Sequence, residues 1–187
     1  MPPKVKTTRE AIVDAAVALV RKDGAQALNA RNLAAALGCS TQPVFSNFAT
    51  MEELRIAVAQ QADALCQSYM KREIESGVYP SYKATGMAYI RFAKEEKELF
   101  KLLYMRDRSA EAYPTTLDFG AKTEALVQQN TGLDADTAKL FHLEIWACVH
   151  GIAAMFATGF VDLPWELVSK MLTDVYQGLR KQYQMEG

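Results

Sequence analysis

"LGCSTQPVFSNFATMEEL", residues 37–54, holds a glycine, small polar residues, a proline and two phenylalanines, and no positive charge. Just upstream, Asn29 reads as a helix cap, with Leu33 and Leu37 inside a short helix that Gly38 ends. Ser40 reads as the cap of a second short helix. The "GCS" between them leaves room only for a tight turn. Two helices joined so closely read as a helix-turn-helix, whose second helix enters the DNA major groove. Pro43 is tolerable there, because near the start of a helix its missing N–H has no intrahelical partner anyway. Phe45 and Phe48, three apart, are expected to pin the helix to the core, leaving Thr41, Gln42, Ser46 and Asn47 facing out. Glutamine can bond adenine with two hydrogen bonds, and threonine offers a hydroxyl or a methyl to a base edge.

Charge supports the same reading. Residues 1–50 carry six Lys/Arg against three Asp/Glu, and the remainder fifteen against nineteen, for a net charge of −1. A basic head on an acidic body confines any nucleic-acid contact to the head. Lys4, Lys6 and Arg9 form a basic arm before the first helix, and Arg31 adds a charge on the second.

The rest of the chain reads as helix, with no sustained alternation that would mark a strand. Thr7 and Glu10 have capping-box spacing, followed by an apolar stripe of Ile12, Ala15, Ala16, Leu19 and Val20 and a stop at Gly24. Thr50 and Glu53 form a second capping box, opening a long fourth helix to about Ser76. Further helices are expected over about 81–94, 97–105, 114–130, 134–158 and 164–183. The division expected is a head of residues 1–50 and a body of residues 51–187.

Two body helices carry stripes suited to a partner helix. Trp165, Val168, Leu172, Val175 and Leu179 follow at steps of three and four, the spacing of a coiled-coil seam. Ala147, Gly151, Ala154 and Thr158 put small residues on one face of the preceding helix. Either stripe could pack within one chain or between two. The uncharged run "IWACVHGIAAMFATGFV", residues 145–161, falls short of the ~20 residues that span a bilayer and reads as a core helix. Three scattered cysteines and no apolar leader point to a reducing cytoplasm.

Residues 7–54 resemble the N-terminal domain of the TetR family of transcriptional regulators, through the cap at Asn29, Leu33, Ala34, Gly38, Ser40, Phe48 and Leu54. "WACVHG", residues 146–151, is similar to the Trp-His-Gly signature of one C-terminal domain of that family. The resemblance implies an all-α, nine-helix fold, an N-terminal helix-turn-helix domain joined by a long helix to a C-terminal bundle. It implies contact with a double-stranded DNA operator through Lys4, Lys6, Arg9, Asn29, Arg31, Ser40, Thr41, Gln42, Phe45, Ser46 and Asn47. It also implies a homodimer through the last two helices, at Ala147, Gly151, Ala154, Val168, Leu172, Val175 and Leu179. An effector cavity is implied near Tyr89, Phe92, Phe100, Met105, Tyr113, Phe119, Trp146 and His150, which hold few charges and so suit a small apolar or weakly polar molecule.

Two positions depart from the family pattern. A tyrosine whose hydroxyl reaches a phosphate is replaced by Phe45, and a phosphate-binding lysine by Met51. These departures keep open a second reading, a helical small-molecule sensor or carrier whose head no longer holds DNA. Catalysis finds no constellation. His142 and His150 are ~12 Å apart along one helix, too far to share a metal, and no nucleophile elbow or phosphate-binding glycine loop is present. No enzyme activity, cofactor, metal or membrane association is expected. The reading is a ligand-responsive repressor released from its operator by its effector.

Overall fold

The structure, a computed structural model, describes residues 7–106 and 121–183, with side chains described for all of these except 121–124. Among them are nine α-helices, one 3-10 turn and no strand. The helices are α1 (Arg9–Asp23), α2 (Ala30–Ala36), α3 (Gln42–Asn47), α4 (Met51–Glu75), α5 (Ser81–Glu95), α6 (Lys97–Tyr104), α7 (Ala121–Thr131), α8 (Ala135–Thr158) and α9 (Trp165–Gln182). They form two compact units: Met1–Gln67 with Glu96–Arg106, and Ser68–Glu95 with Asp107–Gly187. The expected boundary near residue 50 therefore moves into α4, and α6 groups with the head.

In the first unit α1 packs against α2 and α6. Its buried face is Ile12, Val13, Ala16, Val17 and Val20. That stripe is rotated from the expected one, because Ala15 and Leu19 lie at its edge, only partly covered. The cap of α1 is Thr8, not Thr7: Thr8 Oγ1 accepts from the Ala11 N–H at 3.2 Å. Adjacent threonines leave the spacing ambiguous by one residue, and the Thr8 hydroxyl is the one that reaches a third-position amide. Leu54, Val58, Ala62 and Cys66 repeat every four residues along α4 and are buried. The expected capping box opens α4, with Thr50 Oγ1 accepting from the Glu53 N–H at 3.1 Å and Glu53 Oε2 accepting from the Ala49 N–H at 2.8 Å.

In the second unit α5 is the central element, packing against α7, α8 and α9 and burying Tyr82, Ala84, Met87, Ala88, Tyr89, Ile90, Phe92 and Ala93. Phe141 on α8 meets Tyr176 and Tyr183 edge-on, each at 5.7 Å between ring centroids. Asp134 caps α8 as expected, and Gly159 ends it in the left-handed region (φ 70°). Of the described helices, α8 alone is long and apolar enough to cross a membrane. Here it lies against α5, α7 and α9.

The α9 seam is corrected. Val168 and Leu172 are buried inside the subunit, and Leu179 packs against the cluster around Phe141. A spacing of three and four marks an apolar face but does not say whose helix covers it. Here the same chain covers it.

Candidate functional site

The head presents α2 and α3 across a turn at Gly38, whose φ of 62° favours a residue with no Cβ. Asn29 caps α2, with its Oδ1 accepting from the Asn32 N–H at 2.9 Å. Leu33 is wholly buried and Arg31 is exposed. The cap position of α3 is Thr41, with no side-chain capping bond, so Ser40 lies one residue outside it. Pro43 falls within the first two positions of α3. The helix can start without a side-chain cap because proline there leaves one amide fewer to satisfy.

Side-chain directions on α3 differ from expectation at Phe45 and, in part, at Asn47. Val44 and Phe48 pin the helix to the core, while Phe45 is half exposed. Consecutive helical residues sit 100° apart, so burying Val44 turns Phe45 towards the edge. Thr41, Gln42 and Ser46 are exposed, and Asn47 is partly covered. Two of these are engaged locally: Ser46 Oγ donates to the Gln42 carbonyl at 2.9 Å, and Asn47 Nδ2 to the Pro43 carbonyl at 2.8 Å. Thr41, Gln42 and Phe45 face outward, a hydroxyl, an amide and an apolar ring at the start and along one short helix.

Arg9 is committed to the fold of the head. Nη1 donates to the Asn47 carbonyl at 2.7 Å, Nη2 to Glu53 Oε1 at 2.9 Å, and the guanidinium lies 4.0 Å over the Phe48 ring. It thus joins α1 to the end of α3 and the start of α4. The Ala49 amide and then Arg9 hold the Glu53 carboxyl below the usual carboxylate range. Lys4 and Lys6 lie outside the described residues.

Four of the expected effector residues, Tyr89, Phe92, Trp146 and His150, lie in the second unit. Tyr89, Trp146 and His150 do come together: Trp146 stacks on His150 at 4.7 Å, and the Tyr89 hydroxyl meets His150 Nδ1 at 3.0 Å. Phe92 packs edge-on against Tyr69 at 5.5 Å. Phe100 and Met105 belong to the first unit, where Phe100 packs on Tyr104 at 5.1 Å. Tyr113 and Phe119 lie outside the described residues.

A cavity of about 320 Å³ opens elsewhere in the second unit, among α5, α7, α8 and α9. Its apolar side is Gly86, Ile145, Val149 and Leu172. A Cβ at Gly86 would come within 3.2 Å of Leu172 and 3.3 Å of Val149, so the glycine admits both side chains to the wall. The polar side is Lys83, Thr173 and Gln177. Tyr82 also borders it, and its hydroxyl meets His142 Nδ1 at 2.7 Å. Burial pushes the Tyr82 phenol up and the His142 imidazole down to about 4, so the two meet as neutral partners. None of the six expected lining residues that are described borders this cavity. The signals that could have found it were Gly86, a helix-weakening residue mid-helix, and Lys83, a charge beside an apolar face.

The family model described as "Tetracyclin repressor-like, C-terminal domain" matches residues 82–175, half of the chain. The chain belongs to the TetR family of transcriptional regulators. A TetR-like transcriptional regulator from Rhodococcus sp. RHA1 is similar in structure, with a TM-score of 0.68, 15% identity and coverage of 98% of both chains. A TetR-family member from Streptomyces coelicolor A3 gives 0.62 and 20% identity, covering 89% of this chain and 96% of that one. No curated protein matches. The nine-helix TetR fold expected from the sequence is thus the fold observed. The "WACVHG" run lies within the matched TetR-like segment. The described helices of the head, α1 to α3, precede the segment that the family model matches.

The faces of α8 and α9 turned away from the bundle core are also defined. Ala147 and Gly151 are exposed, Ala154 and Val175 partly covered. Leu167 is exposed, and nothing lies within 4 Å of where a Cβ would stand at Gly151 or Gly178. Leu167 and Gly178, eleven residues apart, share one face of α9.

Proposed function

We propose that the chain is a cytoplasmic, homodimeric, DNA-binding repressor, released from its operator when a small molecule occupies the body. The observation carrying this reading is the pairing of an outward Thr41–Gln42–Phe45 surface on α3 with a cavity in the other unit, while α4 runs unbroken through the boundary between units. Gln42 reads a base edge, and Phe45 supplies apolar contact to a thymine methyl. The basic arm, Lys4 and Lys6, with Arg31, supplies phosphate contact.

The dimer uses the open face of Ala147, Gly151, Leu167 and Gly178 rather than the buried seam. A two-fold dimer sets two α3 helices against half-sites one helical turn apart or a multiple of it. The lever is α4. On the body side Tyr69 donates to Glu95 Oε2 at 2.8 Å, and Glu73 pairs with Arg91, which in turn lies 4.4 Å over the Trp165 ring. A ligand that shifts α5 or α9 acts on α4 through these groups. Coupling free energies of ~1–3 kcal/mol are typical for such two-site linkage.

The test is fluorescence anisotropy with DNA from the protein's own upstream region, on wild type and Gln42→Ala. The substitution should cost ~1–3 kcal/mol on the preferred site and relax specificity at one position. Equal loss on all sequences would assign Gln42 to phosphate. Gly151→Arg should give monomers by sedimentation and weaken operator binding. Dimers that persist would move the interface elsewhere.

A second reading, a sensor or carrier without DNA binding, draws on Phe45 and Met51, which lack phosphate-gripping groups, and on Arg9, which is spent inside the head. Absence of binding to any duplex at low salt, with ligand binding intact, would select it.

A further inference from the structure

We infer that the cavity among α5, α7, α8 and α9 takes an apolar monocarboxylate, whose carboxylate pairs with Lys83 while its chain lies against Gly86, Val149 and Leu172. This rests on the effector reading and names the chemical class it leaves open. The residues expected to line the pocket held few charges and suited a neutral molecule. The cavity itself brings a cation to its wall.

The ammonium group has three donors. Lys83 Nζ gives one to Ser169 Oγ and one to Thr173 Oγ1, each at 2.8 Å, both neutral hydroxyls on α9. It also lies 4.9 Å from the centre of the Tyr79 ring, a neutral partner again. Among the described residues no carboxylate pairs with it, whereas Lys94, on the same helix, is paired with Asp162. A cation held by two hydroxyls has been fixed in place but not neutralised. Partial burial lowers its pKa, a cost that an incoming anion would relieve.

The surroundings select further. Thr173 and Gln177 are one turn apart on α9, so the Gln177 amide flanks the lysine site with a neutral donor. Among the described residues, no acidic side chain lines the cavity to repel an anion. The apolar side is set where Gly86 lets Leu172 and Val149 approach α5. Lysine meets an anion as a point charge rather than a planar fork, so a single carboxylate satisfies its remaining donor. About 320 Å³ accommodates roughly ten non-hydrogen atoms at ~30 Å³ each, the share of one water in the liquid. Octanoate has that size.

The experiment is isothermal titration calorimetry of the full-length protein with octanoate, 1-octanol and octylammonium. Octanoate should bind roughly tenfold more tightly than 1-octanol, as expected for a charge-assisted bond at a partly exposed site, and octylammonium most weakly. Lys83→Met should abolish the difference between acid and alcohol, and Lys83→Arg should keep it. Val149→Phe should weaken both ligands by filling the apolar side. If wild type binds alcohol and acid equally, and Val149→Phe weakens both, the cavity is a ligand site but the carboxylate inference is wrong. A preference for octanoate that survives in Lys83→Met also overturns it. If none of the three probes binds wild type, the inference and the effector use of this cavity fail together. The wild-type comparison alone decides the charge question should either lysine variant fail to fold.

Discussion

The head and the body use the same material, short apolar repeats on helices, to opposite ends. In the head, Ile12, Leu33, Val44, Phe48 and Leu54 are closed off almost completely, and Phe45, Ile56 and Met105 are the large apolar side chains left exposed among the described residues. In the body, α5 is the most buried helix, yet a cavity opens beside it, lined by Gly86 and bounded by a cation. A surface that reads DNA must hold its groups at fixed positions, which favours a filled core behind it. A site that responds to a small molecule needs room and a wall that can give. The difference suggests that substitutions in the head act through rigidity, and those in the body through volume.

The largest expected effect tests the head. Phe48→Ala removes a buried ring and the platform under Arg9, at a cost of ~3–5 kcal/mol. The expected result is an unfolded head with no operator binding, while the body still binds its ligand. Chemical denaturation should split into two transitions. Loss of ligand binding in parallel would show that the units do not stand alone.

In the body, Gly86→Ala sets two effects against each other. Alanine gains up to ~1 kcal/mol of helix propensity over glycine. Its methyl presses on Leu172 and Val149, which must move by a few tenths of an ångström. Both line the cavity and can yield into it. Thermal stability should therefore hold or rise while ligand affinity falls several-fold. Falling stability with unchanged affinity would mean that the wall is as rigid as the core of the head.

A smaller effect separates two roles for Arg9. If it positions α3, Arg9→Gln and Glu53→Gln should both weaken DNA binding on all sequences, because each breaks the same bridge. The salt dependence of affinity should then keep its slope. A phosphate role would instead flatten the slope by about one unit in Arg9→Gln, and Glu53→Gln would tighten binding by removing a negative charge.

How much of this was legible in the sequence follows from what each signal encodes. The turn at Gly38, the cap at Asn29 and the box of Thr50 with Glu53 are local chemistry, and local chemistry is written in adjacent residues. The cap of α3 is displaced by one residue, because Ser40 and Thr41 are adjacent residues of the same chemistry and no side-chain capping bond marks which one starts the helix. Phe45 and Val44 were exchanged because a six-residue helix is too short for periodicity to fix its inner face. The seam of α9 showed an apolar face but not its partner. The cavity was the least legible feature. Aromatic richness marked Phe92 and Phe100, which fill space, whereas the cavity is bordered by Gly86 and Lys83, a small residue mid-helix and a charge beside an apolar face.

The last contrast is in pH. Both histidines of the chain, His142 and His150, lie in the body, and burial lowers both imidazoles, His142 to about 4 from an ordinary 6.5. Between pH 6.5 and 4 the unfolded chain therefore binds protons that the folded body refuses. The stability is full above pH 6.5 and drains as pH falls towards 4. Carboxylates lowered in the head, Glu10 and Glu53, run on a different window. Their contribution is present above about 4.5, the unfolded value, and is lost only as pH falls through their lower folded values. At pH 5 the body should thus loosen while the head stays closed. Amide hydrogen exchange at pH 7 and pH 5, corrected for the intrinsic rate, reads each unit separately. Faster opening confined to α5, α8 and α9, and diminished in His142→Gln, is the expected result. The glutamine carbonyl can still accept from Tyr82 but cannot take up a proton in this range. If the head opens as much as the body between these two values, or if His142→Gln leaves the pH effect intact, the histidine is not its source. The two units would then share one acid response.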